Sequence, residues 1–262
     1  MGSQVGKEVR QSYFLPADQP LIRLLDLSRT AAGGALPGTE NIRELLEQCT
    51  QVFHGIILNP GNLEKNADLL GGKIFAAGLV RADWTNALRP SDFALHVQKI
   101  QRVMISDADD AVALGAVGMV TTLLMGYDDE FEADNIEAVS HLARACYQRA
   151  MPLLMEILPT GPNVTPVNHD GVVRLGVSFA MEAGADALIV PPVSEVDRQL
   201  LASWVTVPLL ERRREIPEAD DALHLVRLGY RGLVFGEEVV AERGWVEKIE
   251  RLAEASKEAK VE

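Results

Sequence analysis

The sequence predicts an α/β fold, a (β/α)8 TIM barrel, and three observations support this prediction. First, one pattern occurs three times, in which a helix ends at a glycine and a short apolar strand follows. The glycines are Gly115, Gly184 and Gly229, and glycine is favoured just beyond a helix because it tolerates a positive φ. Second, eight apolar runs alternate with helical patterns, as in a repeated βα unit. Third, the 262 residues are close to the ~250 typical of one such barrel.

The predicted strands lack polar alternation, which is typical of parallel strands that are covered on both faces. They lie at 21–27, 55–59, 74–80, 119–125, 152–158, 187–190, 207–212 and 232–236. Pro191 and Pro192 end the sixth strand because proline cannot donate to a ladder. The stretch 97–105 reads as a further strand fragment inside the third crossover.

The segments between the strands predict helices and two loops. Residues 30–38 are expected to form a glycine-rich loop, and Thr39 is expected to cap the next helix. Residues 128–134 are expected to form an acidic loop before a long helix that ends at Arg149. Further helices are predicted at 107–114, 170–182, 220–227 and 245–257. We interpret residues 1–20 as an irregular arm over the barrel floor, and 21–262 as a single barrel domain.

The balance of acidic and basic residues limits the kinds of molecule that this protein is expected to bind. Acidic residues outnumber basic ones by 38 to 25, for a net charge of −13, which argues against binding to nucleic acid. A locally basic site could still accept an anionic substrate. Cys49 and Cys146 both lie in predicted helices and suggest no disulfide framework. With no apolar signal segment or membrane span in view, we expect a cytoplasmic protein that acts on a small molecule.

Polar residues at the ends of the strands are the candidate functional residues, because active sites of such barrels lie at the carboxyl ends of the strands. We predict catalytic roles for Asp26, Arg81 and Glu156. Substrate-binding roles are predicted for Arg29, Asn59, Asp83, Glu211 and Glu237. A charged residue within an apolar strand is costly unless it is paired, so it indicates a site or an internal salt network.

Simpler interpretations remain open for several of these residues. Arg81 and Asp83 could pair with each other. The run from Arg212 to Arg214 is typical of a solvated face. Glu237 could belong to the acidic first turn of a helix, where the helix dipole favours a carboxylate.

The sequence gives no support for a zinc site and leaves Mg²⁺ as the alternative metal. The histidines do not show the spacing of a zinc site. A Mg²⁺ ion is conceivable, since hard cations prefer carboxylate oxygens. Its ligands would come from Asp26, Asp83, Glu156, Glu211 and Glu237.

Several short motifs, in their order along the chain, resemble the archaeal-type class I fructose-bisphosphate aldolases and their deoxyribose-phosphate aldolase relatives. The resemblance runs from about Leu21 to Val240. The matching pieces are Asp26 with its glycine-containing loop, Asn59-Pro-Gly61, 111–115, Met151-Pro-Leu-Leu, Pro159-Thr-Gly161, Gly184-Ala-Asp186, Val207-Pro-Leu-Leu and 232–236. The resemblance implies a class I aldolase-like barrel, an acid/base role for Asp26, and ring-like homo-oligomers.

The same resemblance implies a lysine in strand six that forms a Schiff base with a carbonyl substrate. The matching position falls near Ile189, and no lysine occurs between Lys99 and Lys248. In strand three, Arg81 stands where relatives often carry a lysine, and Asp83 stands near a substrate-contacting position. Family members also bind phosphate after strands seven and eight, commonly with a Gly-Arg pair, and here that pair reads Gly236-Glu237.

Three functional hypotheses follow. The first is an aldolase-family lyase or isomerase for a small, sugar-like carbonyl metabolite that works without a Schiff-base lysine and with a degraded phosphate site. The second is an inactive barrel that serves as a binding or scaffold subunit. The third keeps the aldolase reaction by recruiting Lys65 or Lys73.

Overall fold

The computed structural model describes residues 2–34, 38–70, 76–89 and 93–258. Eight parallel strands close into a barrel surrounded by helices, which confirms the predicted (β/α)8 architecture. In chain order the strands are β1 Ile22–Asp26, β2 Gly55–Leu58, β3 Ala77–Arg81, β4 Asp83–Thr85, β5 Arg102–Met104, β6 Gly118–Met125, β7 Leu153–Pro159, β8 Ala187–Val190, β9 Leu209–Arg213 and β10 Gly232–Gly236.

The barrel order is β1-β10-β9-β8-β7-β6-β3-β2. The remaining two strands, β4 and β5, form an antiparallel pair above the end of β3. The strand fragment predicted within 97–105 is β5. This short and largely exposed segment is extended because it pairs with β4.

Helices connect the strands around the outside. They are α1 Gly2–Gln11, α2 Thr30–Gly33, α3 Ile42–Cys49, α4 Pro60–Lys65, α5 Ala108–Ala113, α6 Asp129–Gln148, α7 His169–Ala183, α8 Glu195–Trp204, α9 Ala219–Leu228 and α10 Trp245–Glu258. Short 3₁₀ turns lie at Ala67–Leu69, Asn86–Leu88 and Glu237–Ala241. Within the described residues, no helix combines the length and apolarity that a membrane crossing requires.

The three predicted glycine turns between a helix and the following strand are present in the structure. Gly184 and Gly229 end α7 and α9 in the left-handed conformation, with φ of 101° and 109°. Gly115 follows α5 with φ of 72°. A side chain is strained at such angles, so glycine lets the chain reverse directly from helix into strand.

The barrel interior is apolar at its lower and middle levels. Phe14, which follows α1, is fully buried and closes the floor in one cluster with Leu24 and Leu79. The ring approaches to 3.3 Å or less from where a Cβ at Gly118 would lie, so glycine makes room for it. Ile189 is fully buried in the same interior cluster.

Several local predictions were wrong. The first 20 residues are not uniformly irregular, because α1 is helical and its Lys7 forms a 2.7 Å ion pair with Asp186. Asn41 caps α3 in place of Thr39, since the Asn41 side chain accepts a hydrogen bond from the Glu44 amide.

Two predicted loops also contain helix. The short helix α2 lies within 30–38, and the acidic stretch 128–134 is mostly the start of α6, capped by Asp128. Acidic residues suit that position because the first turn of a helix favours negative charge. Strand three starts later than predicted within the described residues, at Ala77, and strand seven starts at Leu209. The predicted positions 74 and 75 lie outside the described residues.

Candidate active site

A cluster of charged side chains fills the carboxyl end of the barrel. In β1, β3 and β9 the interior residues Leu24, Leu79 and Leu210 are each followed two positions later by a charged residue. Side chains in a strand alternate between faces, so these charged residues also face inward. They are Asp26, Arg81 and Arg212, and Glu156 reaches the same level from β7.

Two carboxylates and three guanidiniums form this cluster, which we call the rim cluster: Asp26, Arg29, Arg81, Glu156 and Arg212. Asp26 lies 2.6 Å from both Arg81 and Arg212. Glu156 lies 2.7 Å from Arg212, 3.1 Å from Arg29 and 3.2 Å from Arg81. With all groups ionised, three positive and two negative charges leave the rim cluster with an excess of one positive charge.

Two hydroxyl groups complete the inner contacts of the rim cluster. Ser28 donates its hydroxyl to Asp26 at 2.5 Å and accepts a hydrogen bond from Arg81 Nε at 2.9 Å. Thr122 accepts from Arg81 Nη1 at 3.2 Å. Each of the three guanidinium nitrogens of Arg81 therefore already has a partner, so this side chain is held rigidly.

Electrostatics hold both carboxylates in the ionised form. Burial alone would raise the pKa of Asp26, but Arg81 and Arg212 outweigh it and lower that pKa far below its usual range. Burial likewise opposes ionisation of Glu156, yet Arg212 and Arg81 lower its pKa to about 2. Neither group exchanges protons readily near neutral pH, because such exchange is most efficient when the pKa lies near the working pH.

Glu237 differs from these two carboxylates. It lies directly after β10, is 6% exposed, and its Oε2 has no hydrogen-bond partner among the described residues. Burial, together with the nearby Asp26 and Glu238 carboxylates, raises the pKa of Glu237 to about 7. It is therefore a carboxyl group that can gain and lose a proton at neutral pH.

Unpaired guanidinium nitrogens lie around one side of the cluster. Arg29 Nε, Arg212 Nη1 and Arg213 Nε are buried and lack partners within the described part of the chain. The same three arginines line a cavity of about 430 Å³ above β7, β8 and β9. Its other lining residues are Glu156, Ile157, Leu158, His169, Pro191, Pro192, Arg214 and Glu215.

The opposite side of the rim, above β1 to β3, is nearly closed, with a cavity of only about 20 Å³ beside Ser28, Arg81 and Thr122. Trp84 in β4 donates its indole N–H to the Ala31 carbonyl at 2.9 Å, and Arg89 stacks on its ring. Asp83 does not pair with Arg81. It lies 2.8 Å from Arg102 in β5 and accepts the Thr122 amide at 3.0 Å.

Asn59 also supports the closed side. Its side-chain amide donates to the Ser28 carbonyl at 2.7 Å. Asn59 and Asp83 therefore lie beside the rim cluster and brace the loops that carry it.

Glu211 lies apart from the rim cluster. Leu210 and Arg212 face the barrel interior, so the intervening Glu211 points outward, towards α8. It pairs with Arg198 of α8 at 2.9 Å and with Arg213 at 2.6 Å. The structure thus places Asp26, Arg81, Glu156 and Arg29 together, places Glu237 close to them, and leaves Glu211 on the other face of β9.

The interpretation of Arg212 as part of a solvated charged face was wrong. This residue is 6% exposed and bridges both buried carboxylates. Strand alternation counted from Leu210 selects Arg212 as the inward residue and could have identified it. Arg214 does conform to the prediction, because it is exposed.

The described residues do not form a Mg²⁺ site. No group of three His, Cys, Asp or Glu side chains is arranged to hold a metal ion in this part of the chain. Guanidinium nitrogens bind Asp26 Oδ2 and both oxygens of Glu156, Ser28 binds Asp26 Oδ1, Arg102 pairs with Asp83, and Arg198 pairs with Glu211. Four of the five predicted ligands are therefore paired with arginine, and only Glu237 has no ion pair among the described residues.

No lysine of the described residues joins the rim cluster. Ile189 is fully buried and lies in register with Glu156 on β7 and Leu210 on β9. Lys7 pairs with Asp186 at the amino-terminal end of the barrel, and Lys65 is exposed at the end of α4. Lys73 lies outside the described residues.

Fold and site together define a (β/α)8 barrel with a polar carboxyl-end rim, and comparison with solved structures refines the fold to the aldolase type. An archaeal fructose 1,6-bisphosphate aldolase has a TM-score of 0.78 at 19% identity, covering 96% of this chain and 98% of its own. The fructose-bisphosphate aldolase from Slackia heliotrinireducens has a TM-score of 0.77 at 13% identity, covering 98% and 92%.

A putative deoxyribose-phosphate aldolase from Coccidioides immitis is less similar, with a TM-score of 0.56 at 16% identity over 94% of both chains. Neither the known family models nor the curated protein sequences produce a match. At these identities the likeness establishes a shared fold, as the sequence motifs predicted.

Proposed function

We propose that this protein is an aldolase-type barrel enzyme, a lyase or isomerase, that acts on a small, sugar-like carbonyl metabolite through an enolate and without a Schiff-base lysine. The observation that carries the proposal is the convergence of Asp26, Arg81, Glu156 and Arg212 at the carboxyl-end rim. Active sites of (β/α)8 barrels are built at this end.

The proposed first step is removal of a proton from the carbon next to the carbonyl group. Glu237, whose buried Oε2 has no partner among the described residues and which lies near Asp26 and Arg212, accepts the proton in its ionised form, and its pKa of about 7 suits neutral conditions. The C–H electron pair forms the C=C bond of the enolate, and the carbonyl π electrons move to the oxygen. The Arg212 Nη1 group, which is unpaired among the described residues, donates to that oxygen and stabilises the developing charge.

The buried carboxylates have a positioning role in this proposal. Asp26 and Glu156 keep Arg81 and Arg212 fixed, which preserves the orientation of the donors before the substrate arrives. This assignment differs from the acid/base role that the family resemblance implies for Asp26. Its strongly lowered pKa makes Asp26 a weak base at neutral pH.

A second candidate function is a catalytically inactive barrel that binds a small molecule as a scaffold subunit. The dense pairing of Asp26, Arg81 and Glu156 favours it, because a fully engaged salt network is also a structural element. The aldolase reaction with Lys65 has little support, since that side chain is exposed at the end of α4 and forms no ion pair or hydrogen bond with the rim cluster among the described residues.

Deuterium exchange separates the two candidates without knowledge of the natural substrate. Small aldehydes, ketoses and 2-oxo acids are incubated with the protein in D2O, and loss of the proton signal next to the carbonyl is followed by NMR. We expect catalysed exchange with the wild-type chain and at least a tenfold slower rate for Glu237→Gln, because general base catalysis contributes about 10²–10⁴-fold. Glu218→Gln, an exposed carboxylate outside the cavity, is the matched control.

Absence of exchange with every carbonyl compound, accompanied by saturable binding, would support the scaffold function. Exchange that survives Glu237→Gln unchanged would contradict the role of Glu237. We also propose a homo-oligomeric, cytoplasmic enzyme of carbohydrate metabolism, and light scattering tests the oligomeric state.

A further inference from the structure

We infer that the substrate carries a carboxylate group, which the cavity above β7 to β9 binds through Arg29 and Arg213. This inference rests on the proposed function, because it names the chemical class of ligand at the same site. Arg212 would then face the adjacent carbonyl oxygen, which makes 2-oxo acids the simplest compounds of this class.

The first support is the local charge of the cavity. Its wall contains four guanidiniums and two carboxylates, although the whole chain has a net charge of −13. The six residues are Arg29, Arg212, Arg213, Arg214, Glu156 and Glu215. A positive surface in a low-dielectric recess attracts an anion more strongly than the same charges would in water.

The second support is the set of unpaired donors. Arg29 Nε and Arg213 Nε are buried without partners within the described part of the chain, although both side chains also form ion pairs through their terminal nitrogens. A buried donor that lacks an acceptor is costly to the fold. A ligand that supplies acceptor oxygens removes this cost, because each of the two arginines can donate its free Nε–H to one oxygen of a carboxylate.

A carboxylate fits this wall better than a phosphate. Glu156 belongs to the wall, and Arg29 and Arg212 already share their positive charge with it. Glu237 and Asp26 add negative charge nearby, as the raised pKa of Glu237 indicates. Counted with Asp26 and Glu237, the four guanidiniums of the wall face four carboxylates, so the second negative charge of a phosphate dianion gains little further attraction.

Equilibrium binding tests the inference independently of turnover. The full chain is titrated at constant ionic strength with pyruvate, inorganic phosphate or neutral glyceraldehyde, and affinity is measured by calorimetry and by thermal shift. We expect pyruvate to bind more tightly than phosphate or glyceraldehyde. Arg29→Gln and Arg213→Gln should each weaken pyruvate binding by about tenfold or more, the loss typical of a charge-assisted hydrogen bond.

The choice of test variant and one matched control keep the result interpretable. Arg213→Gln leaves Glu211 paired with Arg198, so it tests the cavity without disturbing Asp26 or Glu156. Arg227→Gln removes an exposed arginine at the end of α9 and should leave the affinity unchanged. Melting curves without ligand show whether each variant is folded.

The outcomes separate this inference from the proposed function. Phosphate binding as tight as pyruvate binding, or pyruvate binding unaffected by both cavity variants, would overturn the inference. If a neutral carbonyl compound undergoes exchange while carboxylates do not bind, the proposed function stands and this inference fails. If carboxylates bind through Arg29 and Arg213 but no exchange occurs, the inference stands and the enzyme proposal fails.

Discussion

The two ends of this barrel both bury charge, but they satisfy it differently. At the amino-terminal end, Lys7 and Asp186 form a single pair at 2.7 Å, and Asp186 also accepts the Leu153 amide at 2.8 Å. At the carboxyl end, three arginines share two carboxylates, and several nitrogens stay unpaired among the described residues. Complete pairing is what stability requires, whereas unpaired buried donors indicate a place for a ligand.

At the amino-terminal end, the buried Arg23 is also satisfied by backbone carbonyls. The Arg23 guanidinium donates to the Val52 and Leu21 carbonyls, and the Arg23 amide donates to His54 Nδ1. Burial lowers the pKa of His54 to about 4, so that ring is neutral at physiological pH. His54 therefore stays neutral in the range where Glu237 titrates.

The largest effect that the comparison predicts follows from Asp26→Asn. This change leaves three buried guanidiniums with one carboxylate, and removing one partner of a buried ion pair costs roughly 3–5 kcal/mol. We expect the free energy of unfolding, measured by urea denaturation at pH 7, to fall by about that amount. Asp68→Asn, which breaks an exposed pair with Arg43, should leave the unfolding midpoint nearly unchanged. Equal midpoints for the two variants would mean that the rim cluster is not electrostatically coupled.

Strong acid should lower the free energy of unfolding through the two carboxylates of the rim cluster. The pKa of Glu156 is about 2, below its unfolded value of 4.5. Its contribution is therefore present above pH 4.5 and disappears as the pH falls towards 2. Asp26, with an even lower pKa, adds to this loss.

The next largest expected effect on the free energy of unfolding comes from Glu237. Its pH dependence is opposite to that of Asp26 and Glu156, because Glu237 stabilises the fold at low pH and not at high pH. Its pKa is raised to about 7 from 4.5, so the folded chain binds the proton more tightly than the unfolded chain. The native state therefore loses stability as the pH rises from about 4.5 to 7. Glu237→Gln should be more stable than the wild type at pH 8, by on the order of 2 kcal/mol after allowance for solvent screening. At pH 4.5 the two should be nearly equal.

Denaturation at both pH values checks the Glu237 prediction, with Glu218→Gln as the exposed control. A constant difference between wild type and Glu237→Gln across this range would show that Glu237 does not titrate there. The neutral-pH role proposed for it would then lose its basis.

The fold and four of the five residues of the rim cluster were predictable from local patterns. Asp26, Arg81 and Glu156 interrupt apolar strands, and a strand buried on both faces tolerates a charge only where something pairs with it. Gly184 and Gly229 marked two helix-to-strand turns because their conformation depends mainly on the residue itself.

The rest depended on contacts between distant segments. In β9, Glu211 and Arg212 are neighbours, and the partner that holds Glu211 on the outer face, Arg198 of α8, could not be predicted from the sequence. The first turns of the chain lack an apolar stripe, and α1 is held instead by the contact of Lys7 with Asp186, 179 residues away. The hairpin of β4 and β5 closes half of the rim through tertiary contacts such as that of Trp84 with Ala31.

The smallest predicted effect comes from Lys7→Met at the amino-terminal end. Asp186 keeps the Leu153 amide as a donor, and its side chain is 18% exposed, so water can replace the lost ammonium group. The methionine also retains most of the apolar stem that lysine buries. We therefore expect a loss of only about 1 kcal/mol by urea denaturation, with unchanged pyruvate affinity. A loss as large as that of Asp26→Asn would show that both ends depend on buried charge to the same degree. In that case the stability lost on breaking the ion pairs of the rim cluster would not distinguish it from the amino-terminal end. The unpaired donors alone would then mark the rim as a functional site.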